Sequence, residues 1–355
     1  MPMEGRPGVA AIEARETIVD ERGDLLVGVA NDEEEQKFLV DSNALSRASK
    51  RWRSAIDDLR EIHAGQPRQR KIEVGIKGDP GHHHLLFRIM HGDFESIPDE
   101  FAESQLFDLL AIIEYYQVRL SLLRPWICDW IMTSHHWHDP YDATRLYKRL
   151  WMAWVLGNRK VFHRALTVLV QEVVPTNGGA ELHLAGEPLP QTPEIPGLFV
   201  ANSIPDYLRR EREARVAKLL GVFERQLENC ETGQARHCHF NERPDTERSM
   251  CDFIVAGSIL RGYYDQVAGP AGFPERCQSV KATYDQLRSI VINTYTAPGD
   301  GASLPTAWQT HDGRCNPTLG LHEELEVYTE VDDLDPCFLQ HLERQARITG
   351  FARYL

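Results

Sequence analysis

The sequence predicts an α+β protein, in which short N-terminal strands lie within a helical shell and the C-terminal half is mainly α-helical. Short β-prone runs occupy residues 25–30, 37–40 and 71–76. The last run alternates cleanly, with Ile72, Val74 and Ile76 on one face, a pattern typical of a half-buried strand. From about residue 100 onward, apolar residues recur at helical spacing instead.

Composition and charge restrict the classes of function. Hydrophobic residues make up 42% and charged residues 26% of the 355 positions, which is typical of a soluble globular protein. The net charge of −14 is concentrated in segments 1–35 and 321–336. Because phosphate contacts require Lys and Arg, nucleic-acid binding is not expected.

The sequence also gives an expectation for the compartment. No apolar run reaches the ~18–20 residues that a membrane-spanning helix needs, and the N-terminal residues lack the apolar core of a secretory signal. We therefore expect a cytoplasmic or nuclear protein, or one found in both compartments. Its seven cysteines are then expected to be reduced thiols, some of which could serve as metal ligands.

Changes in composition along the chain predict its domain organisation. The predicted segments are an acidic N-terminal tail (1–20), a strand-containing domain (21–134), a helical extension (135–174), a Pro/Gly-rich linker (175–200) and an α-helical C-terminal domain (201–355). Within the first domain, Pro98 and the acidic residues after it predict the first turn of a helix.

Four histidines, His82, His83, His84 and His91, are the first residues to suggest chemistry. Neighbouring side chains on a helix point about 100° apart, so His82, His83 and His84 cannot all reach one ion. A structural or surface role is therefore predicted for this cluster.

The C-terminal half offers a candidate metal site formed by Cys230, Cys238, His311 and Cys315. Thiolates and imidazole suit Zn²⁺ in a closed tetrahedral site, so structural zinc is the predicted cofactor. His237 or His239 could replace one cysteine. The alternative is a set of separate thiols, because a buried Cys is common as a small apolar residue.

The N-terminal motifs resemble those of a BTB/POZ domain across residues 21–134. The resemblance rests on Gly23-Asp24, Leu45-Ser46-x-x-Ser49, His91-Gly92 and Tyr116-Gln117-Val118, and it is greatest to filamentous-fungal members of the family. Two positions depart from the family pattern. Asp41 stands where His is common, and Trp52 stands where Phe is common.

The resemblance implies a scaffold for protein–protein association without catalytic activity, commonly a homodimer that associates through the first strand and helices. The implied core or interface residues are Leu25, Val27, Leu45, Ala48 and Trp52. One alternative is a substrate adaptor of a cullin-type ubiquitin ligase. Another is a metal-dependent enzyme that uses the C-terminal Cys/His set, although the sequence lacks the common nucleotide-binding, nucleophile-elbow and zinc-protease motifs.

Overall fold

The chain forms two compact units. The computed structural model describes residues 15–63, 72–127, 130, 143–176, 181–189, 204–232, 238, 245–268, 278–295, 315–331 and 333–351. The first unit comprises the described residues of 1–140, 151–159 and 337–355, and the second comprises those of 141–150 and 160–336. None of the helices in the described ranges is long and apolar enough to span a bilayer.

A four-stranded sheet lies in the first unit. Its strands are β1 (Arg15–Ile18), β2 (Leu25–Ala30), β3 (Glu35–Val40) and β4 (Ile72–Lys77), in the order β1-β3-β2-β4. β2 is antiparallel to β3 and parallel to β4, while β1 is parallel to β3. The strands predicted from periodicity are confirmed as β2, β3 and β4. β1 was missed, because it lies inside the predicted acidic tail 1–20.

The described α-helices lie between β3 and β4, between β4 and the next strand along the chain, and after the last described strand. They are α1 (Ser42–Ala48), α2 (Lys50–His63), α3 (Pro80–His91), α4 (Glu103–Tyr116), α5 (Ala143–Leu156), α6 (Arg159–Glu172), α7 (Ile204–Thr232), α8 (Asp245–Tyr263), α9 (Val280–Arg288), α10 (Thr318–Val327) and α11 (Pro336–Thr349). The chain is therefore of mixed helix and strand composition, in agreement with the predicted α+β class.

The start of α1 is fixed by two carboxylates. The Asp24 side chain accepts hydrogen bonds from the backbone N–H and the hydroxyl of Ser42, both at 2.8 Å. Asp41 is the N-cap and accepts from the N–H of Asn43 at 2.8 Å. Unpaired N–H groups at a helix start are satisfied by such acceptors, so the Gly23-Asp24 motif joins β2 to α1.

The prediction that Pro98 lies in a first helical turn is wrong. α4 begins at Glu103, and the backbone N–H of Ala102 is capped by Oε1 of Gln105 at 3.2 Å. The carbonyl of Pro98 instead accepts a hydrogen bond from Trp130 Nε1 at 2.8 Å. Pro98 therefore lies outside α4 and contacts a tryptophan that is distant in sequence, which no local pattern could reveal.

The second unit contains helices and a small sheet. β5 (Val174–Thr176), β6 (Glu181–Leu184) and β7 (Glu187–Pro188) form an antiparallel meander in the order β5-β6-β7. The described part of the predicted linker 175–200 therefore contains strands. Here Ala185 and Gly186 adopt positive φ angles between β6 and β7, so the Pro/Gly content reflects turns of a hairpin as well as loops.

The C-terminal helix α11 belongs to the first unit, whereas the sequence placed residues 201–355 in one domain. Trp154 of α5 stacks on His341 of α11 with ring centroids 3.7 Å apart. Thr349 donates a hydrogen bond to the carbonyl of Leu156 at 2.8 Å, and Arg124 donates to the carbonyl of Ile348 at 2.9 Å. These contacts join residues far apart in sequence, so composition could not predict them.

Gly157 allows α11 to approach closely. Its φ of +77° lies in the left-handed region, and a Cβ there would lie 2.2 Å from the backbone nitrogen of Ala346. We expect Gly157→Ala to lower the free energy of unfolding by about 2–4 kcal/mol, since it combines left-handed strain with a backbone clash. Urea denaturation measures this change.

The matched control for this prediction is Gly257→Ala within α8, where an added Cβ would meet no atom within 4 Å. Replacing glycine by alanine inside a helix favours folding by up to about 1 kcal/mol. Equal unfolding midpoints for the two variants would contradict the packing described for Gly157.

Candidate functional site

The five residues predicted as core or interface are all core residues of the first unit. Each is at most 5% exposed; they are Leu25, Val27, Leu45, Ala48 and Trp52. Four of these side chains are enclosed within the chain, and Trp52, although only 3% exposed, also lines a surface groove described below. The sequence left core and interface roles open at these positions, and burial within the chain favours the core role. An association surface has to be sought among exposed residues.

The outer edge of β4 is a candidate for such a surface. Among the described strands, β4 pairs only with β2, which leaves its other side without a neighbouring strand. A groove of about 430 Å³ runs along this edge; it is lined by Arg51, Trp52, Ala55, Val74, Gly75, Ile76, Lys77, Tyr115 and Tyr116. An open strand edge presents backbone N–H and C=O groups to which another chain can pair. We name this feature the β4 groove.

Aromatic side chains form the wall of the β4 groove that faces the strand. Trp52 stacks on Tyr116 with ring centroids 5.4 Å apart, and the Arg51 guanidinium lies 3.9 Å from the Tyr115 ring centroid. Arg51 also donates a hydrogen bond to the carbonyl of Tyr115 at 3.1 Å. Tyr115 is nonetheless 56% exposed, whereas Trp52 and Tyr116 are buried behind it, so one aromatic ring faces solvent beside the strand edge.

The indole N–H of Trp52 is buried and has no hydrogen-bond partner in the described part of the chain. Leaving a buried donor unsatisfied costs about 1–3 kcal/mol. Trp52 also lines the β4 groove, but its Nε1 is sealed from solvent, so the unpaired donor does not by itself mark a ligand position. The sequence suggested only that Trp52 replaces a core phenylalanine, and the unpaired donor became evident only in three dimensions.

A second depression, of about 490 Å³, adjoins the β4 groove. The two share Lys77, Tyr115 and Tyr116, and the depression continues past His82 and Asp108. The surface therefore follows the strand edge and then the exposed side of α4. A continuous elongated surface of this kind fits an extended peptide better than a compact small molecule.

Two members of the histidine cluster, His83 and His91, make hydrogen bonds to the backbone of the first unit. His91 Nε2 accepts a hydrogen bond from the backbone N–H of Asp41 at 2.9 Å, and its Nδ1 donates to the carbonyl of Phe87 at 2.7 Å. This ring therefore joins the end of α3 to the start of α1. His83 is 2% exposed, and its Nδ1 lies 2.8 Å from the carbonyl of Asp79.

Burial lowers the pKa of His83, although the Asp79 carbonyl and carboxylate oppose the shift. In the unfolded chain the imidazole takes up a proton near its ordinary pKa of about 6.5. The folded chain takes it up only at lower pH, so the burial of His83 makes the folded state less stable as pH falls below that value.

We expect His83→Gln to weaken the dependence of unfolding free energy on pH between about pH 7 and pH 5. Chemical denaturation at several pH values measures this slope, and equal slopes for the two proteins would contradict a neutral buried His83.

A cluster of cysteines lies in the second unit. Cys238, Cys251 and Cys315 are buried, and their sulfur atoms all lie within 4.8 Å of one another. The structure thus joins two of the predicted metal ligands, Cys238 and Cys315, and adds Cys251. Cys230 lies in α7, but its side chain is outside the described part of the structure, as is His311.

The electrostatics of the cluster disfavour ionised thiols. Burial raises the pKa of the Cys251 thiol to about 12. A backbone hydrogen bond from Tyr295 opposes this shift, whereas the sulfur atoms of Cys315 and Cys238 add to it. Several thiolates can share this space only if a cation balances their charge.

Cys251 was missed from the sequence because it lies on an ordinary helical face. It shares the buried stripe of α8 with Val255 and Ile259, and one cysteine in such a stripe usually indicates apolar packing. The sequence signal that could have identified Cys251 as a metal ligand is that it lies close to Cys238 along the chain. Arg51 and Tyr115 were missed for a different reason, since no local motif marks a groove formed by a helix, a strand and a second helix.

Comparison of the chain with protein-family models, curated proteins and solved structures finds no match. The candidate sites are therefore defined by their geometry: an open strand edge with an aromatic wall in the first unit and a buried group of thiols in the second.

Proposed function

We propose that this protein is a non-catalytic scaffold for protein–protein interaction, and that an extended segment of a partner protein binds along the β4 groove. The observation that carries the proposal is the open edge of β4 beside the exposed Tyr115. Main-chain pairing at a strand edge supplies affinity, and side-chain pockets beside it supply selectivity.

The proposal includes a BTB/POZ-type module in residues 21–134. Its support is that the motif residues behind the resemblance also hold the first unit together. Asp24 fixes the start of α1, and His91 joins α3 to Asp41. The Ser49 hydroxyl donates a hydrogen bond to the carbonyl of Tyr116, and the Ser49 backbone forms a β-bridge with Val118.

The partners that we propose include a second copy of the chain, as the resemblance implies. A homodimer would have to use the β4 groove or another exposed surface, because the residues first considered for it are buried. The adaptor role with a cullin stays a prediction, because no feature of the described residues selects a cullin over another protein partner.

Filling the β4 groove tests the proposal. Ala55 lies on α2 and lines the groove without being fully buried, so Ala55→Arg places a long side chain where the partner segment would lie. Tagged protein is produced in its native cells beside an untagged copy, and the captured proteins are identified by mass spectrometry. We expect capture of the main partner or of the untagged copy to fall at least about tenfold, a loss of about 1.4 kcal/mol in binding.

The matched control lies at the opposite edge of the same sheet. Ile18 of β1 is 61% exposed, and Ile18→Arg adds the same side chain there. Denaturant unfolding with the wild-type midpoint in both variants shows that neither substitution disturbs the fold. Capture that is lost equally in both variants, or in neither, would contradict binding at the β4 groove.

A further inference from the structure

The buried cysteine cluster in the second unit has a geometry that matches a metal centre. In a tetrahedral zinc site with Zn–S bonds of ~2.3 Å, sulfur atoms lie about 3.8 Å apart. The sulfur atoms of Cys238, Cys251 and Cys315 are within 4.8 Å of one another. One ion can therefore contact all three with small side-chain adjustments.

The backbone around the cluster is held by hydrogen bonds from separate segments. The N–H of Cys238 donates to the Asp252 carboxylate at 2.9 Å, which places Cys238 beside the first turns of α8. The N–H of Asn293 donates to the Ser258 hydroxyl at 3.1 Å, and the Asn316 side chain donates to the carbonyl of Ile292 at 3.3 Å. The bond between Asn293 and Ser258 places residues 292–295 beside α8. The bond between Asn316 and Ile292 places the segment that begins at Cys315 beside Ile292.

The type of ligand in the cluster indicates which metal ion would bind. Three sulfur ligands favour a soft or borderline ion, and Zn²⁺ is the common occupant of such closed sites. Each sulfur-bearing residue is at most 3% exposed, so solvent and substrates have no ready access. The three cysteines supply three of the four ligands of a usual structural zinc site. A catalytic zinc needs a coordination position that a substrate can reach, and the burial of all three ligands argues against such access and for a structural ion.

We propose that Cys238, Cys251 and Cys315 bind one Zn²⁺ ion as thiolates and that this ion stabilises the second unit. Each thiol loses its proton to solvent when the ion binds, and the ion compensates two of the three negative charges, which leaves the site with one net negative charge. The proposal rests on these three ligands, because His311, expected as the imidazole ligand, lies outside the described residues. It is independent of partner binding at the β4 groove.

Metal analysis of the purified full-length protein tests the inference. Elemental mass spectrometry after purification without chelator is expected to give about one zinc ion per chain for the wild type. Cys251→Ser is expected to lower the zinc content at least about tenfold, since a hydroxyl is a poor replacement for a thiolate ligand. Cys337→Ser is the matched control, because Cys337 is exposed and belongs to the first unit; it should retain the zinc of the wild type.

A second measurement does not depend on the variant being folded. Wild-type protein depleted of zinc and titrated with Co²⁺ should develop an intense thiolate-to-cobalt charge-transfer absorption, which Zn²⁺ then abolishes. Folded wild-type protein that contains no zinc and gives no such absorption would overturn the proposal and leave the cluster as apolar packing. Mass spectrometry that finds a disulfide between two of these cysteines in metal-free native protein would overturn it as well.

Discussion

The central strand β2 is the element on which the architecture of the first unit depends. It pairs with β3 on one side and with β4 on the other, and it buries Leu25, Val27 and Val29. Because a strand has only two edges, β2 has none left, and the free edges of the described sheet are those of β1 and β4. The pairing of β2 thus makes β4 an outer strand, and its open edge reflects the absence of a further strand beside it among the described residues.

The surroundings make the two edges of the sheet different. β1 is a short strand with one large apolar side chain, Ile18, exposed. Short edge strands are one way in which proteins prevent unwanted pairing. Beside β4, by contrast, Trp52 and Tyr115 of two helices form an aromatic wall. Aromatic residues are enriched among the residues that dominate the energetics of protein interfaces, which supports the proposal that a partner binds at the β4 edge rather than at β1.

Much of the fold could be predicted from the sequence, and the sites only in part. Alternation at Ile72, Val74 and Ile76 located β4, and helical periodicity located the C-terminal helices, because both signals are local. The placement of α11 in the first unit depends on the contact of His341 with Trp154, which no local pattern encodes. Cys238 and Cys315 were recognised by residue type, whereas Cys251 needed the fold that brings the segments together.

Site-specific photocrosslinking tests the central claim, that the β4 groove binds a partner protein, most directly. A photoreactive amino acid is incorporated at position 55 or, separately, at position 18, and native cells are irradiated. Binding at the groove predicts a crosslinked adduct of this chain with another protein or with a second copy from position 55, and none from position 18. Adducts from position 18 alone, or from neither position, would contradict it.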